Sequence, residues 1–382
     1  DRFFDDKLGV MLAGSFLSTS RGKESRLYYQ PGTSHNGIEY RNYSSEQTRI
    51  GVHAKLDYSL NDNHKLTWYN GYMDMSEAEV RDGEDEKERA VRMRWNHQYI
   101  INSTLKSEHL FLSGGALRLN WSAVLSKAFS ETPDNAEIYL LGSHVSTTDA
   151  AKRRWEHNSE DKAGYVDLAY KLKLDGGAIL DFSAGGMYRD KKRDSFFNEY
   201  TFNSATGSKN PQYINKDWFN FDEIQFVPRP YGNIGDPLNY DATEKIGAGY
   251  GMVKYTLKEW ELIAGVRVEH TNQGYVLKFP RDVDPEGNQD YTDVLPSFHA
   301  KYGIHRNANL RFSYARAINR PSFFEIVPYS IINEDYKEKG NPDLKHTVAD
   351  NIDLRYEFFP KSSEQFMVGL FYKNIQDPIE YG

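Results

Sequence analysis

Leu310-Arg311-Phe312-Ser313-Tyr314-Ala315 opens the stretch that decides the fold, which runs on to Glu380. Leu310, Phe312 and Tyr314 alternate with Arg311, Ser313 and Ala315. Asn319-Arg320-Pro321-Ser322-Phe323-Phe324 follows, and then a polar loop that ends in Gly340-Asn341-Pro342-Asp343-Leu344. A second alternating run sets Ile352, Leu354, Tyr356 and Phe358 against Asn351, Asp353, Arg355 and Glu357. A tight polar turn, Pro360 to Glu364, leads into Phe366, Val368, Leu370 and Tyr372. A period of two is the signature of a strand with one apolar and one wet face. Two long strands, one short turn and one long loop form the unit.

The same unit recurs upstream. Asp5 to Phe16 reads as a first strand, followed by a polar loop to about Ser45. Ile50, Val52, Ala54, Leu56 and Tyr58 then alternate with Arg49, His53, Lys55 and Asp57, up to the turn Asn61-Asp62-Asn63. The return strand carries Leu66, Trp68 and Tyr72 and fades into an acidic loop, Ser76 to Glu88. Arg89 to Ser113 reads as one strand because Val91, Met93, Trp95, Tyr99, Ile101 and Leu105 keep one parity. A bulge is expected where Leu110 and Leu112 break it. Gly114-Gly115 turns the chain, and Leu117, Leu119 and Trp121 run up to a loop from Ser130 to about Asp161. Val166 to Leu174, Asp175-Gly176-Gly177 and Leu180 to Tyr188 form a hairpin. A long loop spans Lys191 to Thr243. Ile246, Ala248, Tyr250 and Met252 then read as the lipid side, and Gly247, Gly249 and Gly251 as a bare inward stripe. Lys258-Glu259 turns into Trp260, Leu262, Ala264, Val266 and Val268. A loop at Gln273 to Gln289 precedes Val294, Phe298, Ala300 and Tyr302, and Arg306 to Ala308 closes the circuit. This predicts thirteen strands whose six short turns and six long loops alternate without exception.

Composition agrees. The 382 residues include 27 Tyr, 21 Phe and 6 Trp, yet 27% are charged. No run approaches the roughly 20 apolar residues of a membrane helix. Abundant aromatics, many charges and no helical span suit a transmembrane antiparallel β-barrel, in which only alternate residues face lipid. Short turns belong at the periplasmic rim and long loops outside. There is no cysteine, so disulfides and thiolate metal sites are excluded. The net charge of −8 argues against a nucleic-acid partner. The histidines show no zinc spacing, and neither a nucleophile elbow nor a phosphate loop occurs. No catalytic constellation is found, and an enzyme is not expected.

Four words of the last third, Ala317-Ile318-Asn319-Arg320-Pro321-Ser322-Phe323, Gly340-Asn341-Pro342-Asp343-Leu344, Phe371-Tyr372-Lys373-Asn374-Ile375 and Asp377-Pro378-Ile379-Glu380, resemble those of TonB-dependent receptors. Asn239-Tyr240-Asp241-Ala242-Thr243-Glu244 and Val294-Leu295-Pro296-Ser297 resemble earlier words of the same barrels. The resemblance implies an integral outer-membrane importer with a barrel of about twenty-two strands. Residues 1–382 would be an incomplete barrel domain, with the plug and the final strands not present. It implies active uptake of a nutrient, a glycan, siderophore, haem, peptide or vitamin, with no cofactor. The implied partners are outer-membrane lipid, TonB through the plug, the nutrient and a surface lipoprotein. A passive porin and a structural or surface-binding barrel are the alternatives.

Three sets of residues stand out. Trp68, Trp121 and Trp260 sit near strand ends on the apolar face, as a headgroup girdle would. Asp353, Arg355 and Glu357, with Glu261, Arg267 and Glu269, and His53, Lys55 and Asp57, read as a wall of inward ion pairs rather than a substrate path. The loop Lys191 to Thr243 is rich in aromatics and stiffened by Pro211, Pro228, Pro230 and Pro237. Disordered segments are poor in aromatics, so a folded extracellular cap is expected. Its candidate ligand contacts are Tyr213, Trp218, Phe219, Phe221 and Tyr231, with Lys216, Asp217 and Asp222 for polar selectivity.

Overall fold

The computed structural model describes residues 2–28, 37–86, 89–141, 144–145, 150–204, 224–228, 238–332 and 337–380. Among them, alternation has become one antiparallel ladder. The long strands are β1 (Leu8–Tyr28), β2 (Ile38–Asn61), β3 (His64–Glu84), β4 (Arg89–Phe111), β5 (Leu117–Leu141), β6 (Ala150–Lys173) and β7 (Ile179–Ser204). They continue as β8 (Tyr240–Leu257), β9 (Trp260–Leu277), β10 (Glu286–His305), β11 (Ala308–Asn319), β12 (Thr347–Lys361) and β13 (Glu364–Gln376). Each pairs with the next in sequence, and β1 does not pair with β13. Thirteen long strands in sequence order is the number and order that the alternation predicts.

Most of the loops read from sequence are shorter than expected, because the strands run on. Arg21 to Tyr28 pairs with Ile38 to Ser45. Ser76 to Glu84 pairs with Arg89 to His97. Much of Ser130–Leu141 pairs with Ala150–Asp161, and Lys191 and Lys192 lie in β7. Phe196, Phe197, Tyr200 and Phe202, assigned to the cap loop, are strand residues too. The physical reason is that a strand needs only about 9–11 residues to cross the bilayer. Beyond the membrane both faces are wet, so the period of two fades while backbone pairing continues. The bulge expected near Leu110 is a turn instead. Leu112 takes a positive φ of 62°, and a 3₁₀ turn at Ser113–Gly115 leads into β5.

Register assigns the faces. Opposed residues share a side of the sheet. Val266 lies opposite Gly251 and Pro296, whereas Arg267 lies opposite Tyr250 and Leu295. The outward side carries exposed bulk such as Leu12, Phe16 and Leu370. Trp68, Trp121 and Trp260 also face outward, each within a few residues of a short turn. The inward side is held by ion pairs: Lys55–Asp57 at 3.3 Å, Lys254–Glu261 at 2.8 Å, Arg267–Glu269 at 2.6 Å and Arg311–Glu357 at 2.8 Å. One assignment is reversed. Tyr250 points inward and donates to Asp167 at 2.6 Å, so Gly247, Gly249 and Gly251 face outward. Ile246 and Ala248 share that inward face, and Ile246 is buried. Hydropathy alone does not separate a lipid contact from an interior one.

Two outcomes are expected. Val266→Arg, on the outward face, should cost about 2–4 kcal/mol. Arg267→Leu should cost less, because Glu269 keeps Arg320. Urea titration of the full-length protein refolded in lipid vesicles measures both, and equal losses would refute the face assignment.

At the tip of the β3–β4 hairpin, Arg89 donates two bonds to Asp82, at 2.7 and 2.6 Å. They hold the Asp82 carboxyl below the usual carboxylate range. The folded pKa is depressed, so the pair's contribution is complete above the unfolded value of about 3.9 and is lost as pH falls below it. Amide exchange at Gly83 to Ala90, corrected for its intrinsic pH dependence, should quicken as pH falls below about 4. In Arg89→Ala that step should be absent.

Candidate functional site

The upper inward face of β8 and β9 is apolar where the rest of the lumen is charged. Tyr240, Ala242, Tyr275 and Leu277 lie there, all buried. The segment after β11 covers them. Pro321 removes a donor and ends β11 near Asn319. Ser322 then caps a short helix, α1 (Phe323–Ile326). The Ser322 Oγ accepts from the Glu325 N–H at 3.3 Å, and the Ser322 N–H donates to Glu325 Oε2 at 2.6 Å. This reciprocal capping box fixes the turn. Phe323, Ile326, Val327, Tyr329 and Ile331 pack on Leu238, Tyr240, Tyr275 and Leu277 as one buried cluster with Phe197.

Polar contacts weld this bracket to the wall. Arg320 pairs with Glu269 and donates to Thr271 Oγ1 at 3.0 Å. Gln273 Nε2 donates to the Pro321 carbonyl at 2.9 Å, and Gln289 Nε2 to that of Leu344 at 2.6 Å. His346 meets Asp293 at 3.0 Å and stacks on Tyr291 with centroids 3.9 Å apart. Lys191 and Arg193 of β7 each lie 5.4 Å from the Phe323 ring centroid, a cation–π contact on both counts. The segment closes on itself where Asn341 N–H donates to the Glu325 carbonyl at 2.7 Å. A Cβ on Gly340 would collide with the Val327 carbonyl oxygen, so only glycine fits.

Near the short-turn rim lies a second inward feature, a basin of about 560 Å³. Glu261, His299, Lys301, Arg311, Asp353, Arg355 and Glu357 line it. Two of the inward ladders read from sequence meet there. Among the described residues no group of three metal-ligating side chains occurs. Tyr213, Trp218, Phe219, Phe221 and Tyr231, with Lys216, Asp217 and Asp222, lie outside the described residues. Sequence reasoning quoted Asn319 to Phe323 and Gly340 to Leu344 without assigning them a role. Ser322-x-x-Glu325 is a capping-box signature and was the signal available.

A thirteen-strand antiparallel sheet with an apolar outside, a charged inside and an in-folded bracket defines a class: an outer-membrane β-barrel. A sequence-family profile, Outer membrane protein beta-barrel family, matches residues 217–381. No curated protein matches the chain in sequence. Among solved structures, the barrel is similar to the ferric-catecholate import receptor Fiu of E. coli K12, at 12% identity and a TM-score of 0.58. It is also similar to the ferripyoverdine receptor of the Pseudomonas aeruginosa outer membrane, at 12% and 0.56, and to the ferric yersiniabactin uptake receptor FyuA of Yersinia pestis, at 11% and 0.51. These alignments cover 98%, 98% and 97% of this chain, but 58%, 49% and 55% of those proteins. The chain thus spans about half their length. Its fold is that of TonB-dependent receptor barrels.

Removing the Phe323 ring should cost about 3–5 kcal/mol locally. Phe323→Ala and Gly340→Ala should each release residues 323–344 to rapid hydrogen exchange while β8 and β9 stay protected. Loss of protection throughout the sheet would show that the bracket is part of the wall itself.

Proposed function

We propose that this chain is the wall of a TonB-dependent outer-membrane receptor that actively takes up a nutrient. The observation that carries the reading is an inward-folded bracket over a charged lumen in a sheet too wide to be filled. Eight strands already give a barrel whose interior side chains can fill, and larger barrels enclose a channel or a plugged lumen. Thirteen strands that do not meet exceed that limit. The bracket narrows the outer half of the lumen on the side of β8 and β9. The basin of Glu261, Lys301, Arg311 and Glu357 offers paired charges to a plug entering from the periplasmic side. The nutrient meets the receptor first at the outer loops, with Tyr213, Trp218, Phe219, Phe221 and Tyr231 as candidate contacts, presented by a surface lipoprotein or captured directly. Aromatic faces stack on sugar rings or flat chelates. The printed names of the similar structures, ferric-catecholate, ferripyoverdine and ferric-yersiniabactin receptors, support a bulky chelate.

The test is uptake by cells that express the full-length protein, with and without TonB. Uptake lost without TonB supports the reading, and undiminished uptake would make the barrel a passive porin. Trp218→Ala with Phe221→Ala should weaken binding of the transported nutrient about tenfold, some 1.4 kcal/mol, at unchanged surface expression. Unchanged affinity would remove these two residues from the site.

A further inference from the structure

Two histidines at the short-turn rim face each other across neighbouring strands. His64 opens β3 beside the turn Asn61-Asp62-Asn63, and register sets it opposite His109 of β4. Both keep the outward parity of Leu66, Trp68 and Leu105. Lys65, next in sequence, points the other way and meets Asp57 on the lumen side. Directly opposed residues bring their Cβ atoms within about 4.5–5.5 Å. Here both rings turn the same nitrogen into the gap, so that His64 Nδ1 lies 3.0 Å from His109 Nδ1. The ring centroids are 5.1 Å apart and the planes are tilted by 54°.

The surroundings fix this arrangement. Ser107, buried on the same face, sets its Oγ 2.5 Å from His109 Nε2. That contact holds the ring and leaves Nδ1 aimed at the gap. Phe111 packs beside both rings, its centroid 5.4 Å from that of His64 and 6.1 Å from that of His109. Three other histidines are taken up by carboxylates: His97 by Asp74 and Glu131, His270 by Asp290 and His346 by Asp293. Among the described residues no carboxylate pairs with His64 or His109. Trp68 stands further along β3, at the level of the headgroups. The pair therefore lies on the periplasmic side of that girdle, within reach of water and ions.

We propose that His64 and His109 bind one divalent transition metal, Cu(II) or Ni(II), which clamps β3 to β4 at the periplasmic rim. The site lies outside the lumen and does not rest on the transport reading. Without metal, one Nδ1 carries a proton and donates it to the other, because two lone pairs repel at this distance. With metal bound, the ion takes the place of that proton. The proton moves to His64 Nε2, and His109 Nε2–H donates to Ser107 Oγ, which leaves both Nδ1 lone pairs for the metal. Metal–imidazole bonds of about 2.0–2.1 Å set two nitrogens about 2.9 Å apart at a right angle and about 3.3 Å apart at the tetrahedral angle. The gap of 3.0 Å matches the right angle. Nitrogen ligands at right angles are the tetragonal geometry of Cu(II) and Ni(II), and imidazole suits both. Water completes the coordination.

The test uses the full-length protein in detergent, stripped of metal with a chelator, with Cu(II) as the probe and electron paramagnetic resonance as the readout. The unmodified protein should bind Cu(II) with a spectrum that shows coupling to two imidazole nitrogens. His64→Ala should lose that signal and bind Cu(II) at least tenfold more weakly. His109→Gln, which keeps a polar side chain of similar reach, should do the same, and it carries the test if His64→Ala does not insert. Heat-dependent electrophoretic migration reports that each barrel is folded. A two-nitrogen signal of unchanged intensity and affinity in either folded variant would overturn the proposal. Absence of that signal from the unmodified protein would overturn it too, and would reduce the pair to a hydrogen bond.

Discussion

Within hydrocarbon, a backbone N–H or C=O without a partner has no water to turn to. Each such group costs several kcal/mol. The antiparallel ladder of this chain answers that constraint, and the rest of the molecule follows from it. Pairing each strand with its sequence neighbour gives every strand from β2 to β12 a partner on both edges. Since pairing requires only backbone, the side chains are free to serve two solvents. One parity faces lipid with Leu, Val, Phe and Trp. The other faces the lumen with Arg, Lys, Asp and Glu, which neutralise one another along a strand, as Arg267 and Glu269 do, or across adjacent strands, as Arg311 and Glu357 do.

The lumen pairs do more than neutralise. Arg267, Glu269, Thr271 and Gln273 climb β9 on one face, and the upper part of that ladder receives Arg320 and Pro321. The wall's own polar side chains thus become the anchor of the bracket. Where the ladder gives way to Tyr275 and Leu277, the bracket supplies Phe323 and Ile326. A single strand therefore changes its inward chemistry along its length, and the covering segment changes with it. The apolar cluster holds the bracket in place and the ion pairs set its register.

The outside is also uneven. Bulk dominates the lipid face of β10 to β13, whereas glycine opens it on β6 to β8. Glycine in a strand weakens it and commonly marks close approach by something else.

The sequence by itself determined the strands, their number, their order and most of their faces. Alternation such as Leu262, Ala264 and Val266 against Glu261 and Arg267 is imposed by two solvents on one backbone, and it is readable wherever both solvents are present. It failed in three ways, each for its own reason. Past Ser76 and Ser130 both faces are wet, so the pattern vanished while pairing went on. On β8 the apolar Ile246 and Ala248 face inward, and glycines carry no preference at all. The bracket needed residues far apart in sequence, Gln273 with Pro321, Lys191 with Phe323 and Gln289 with Leu344. Local pattern reports what a residue's environment is like, wet or apolar. Which neighbour makes it so was decided only by the tertiary structure, because strand register and loop folding bring distant segments together.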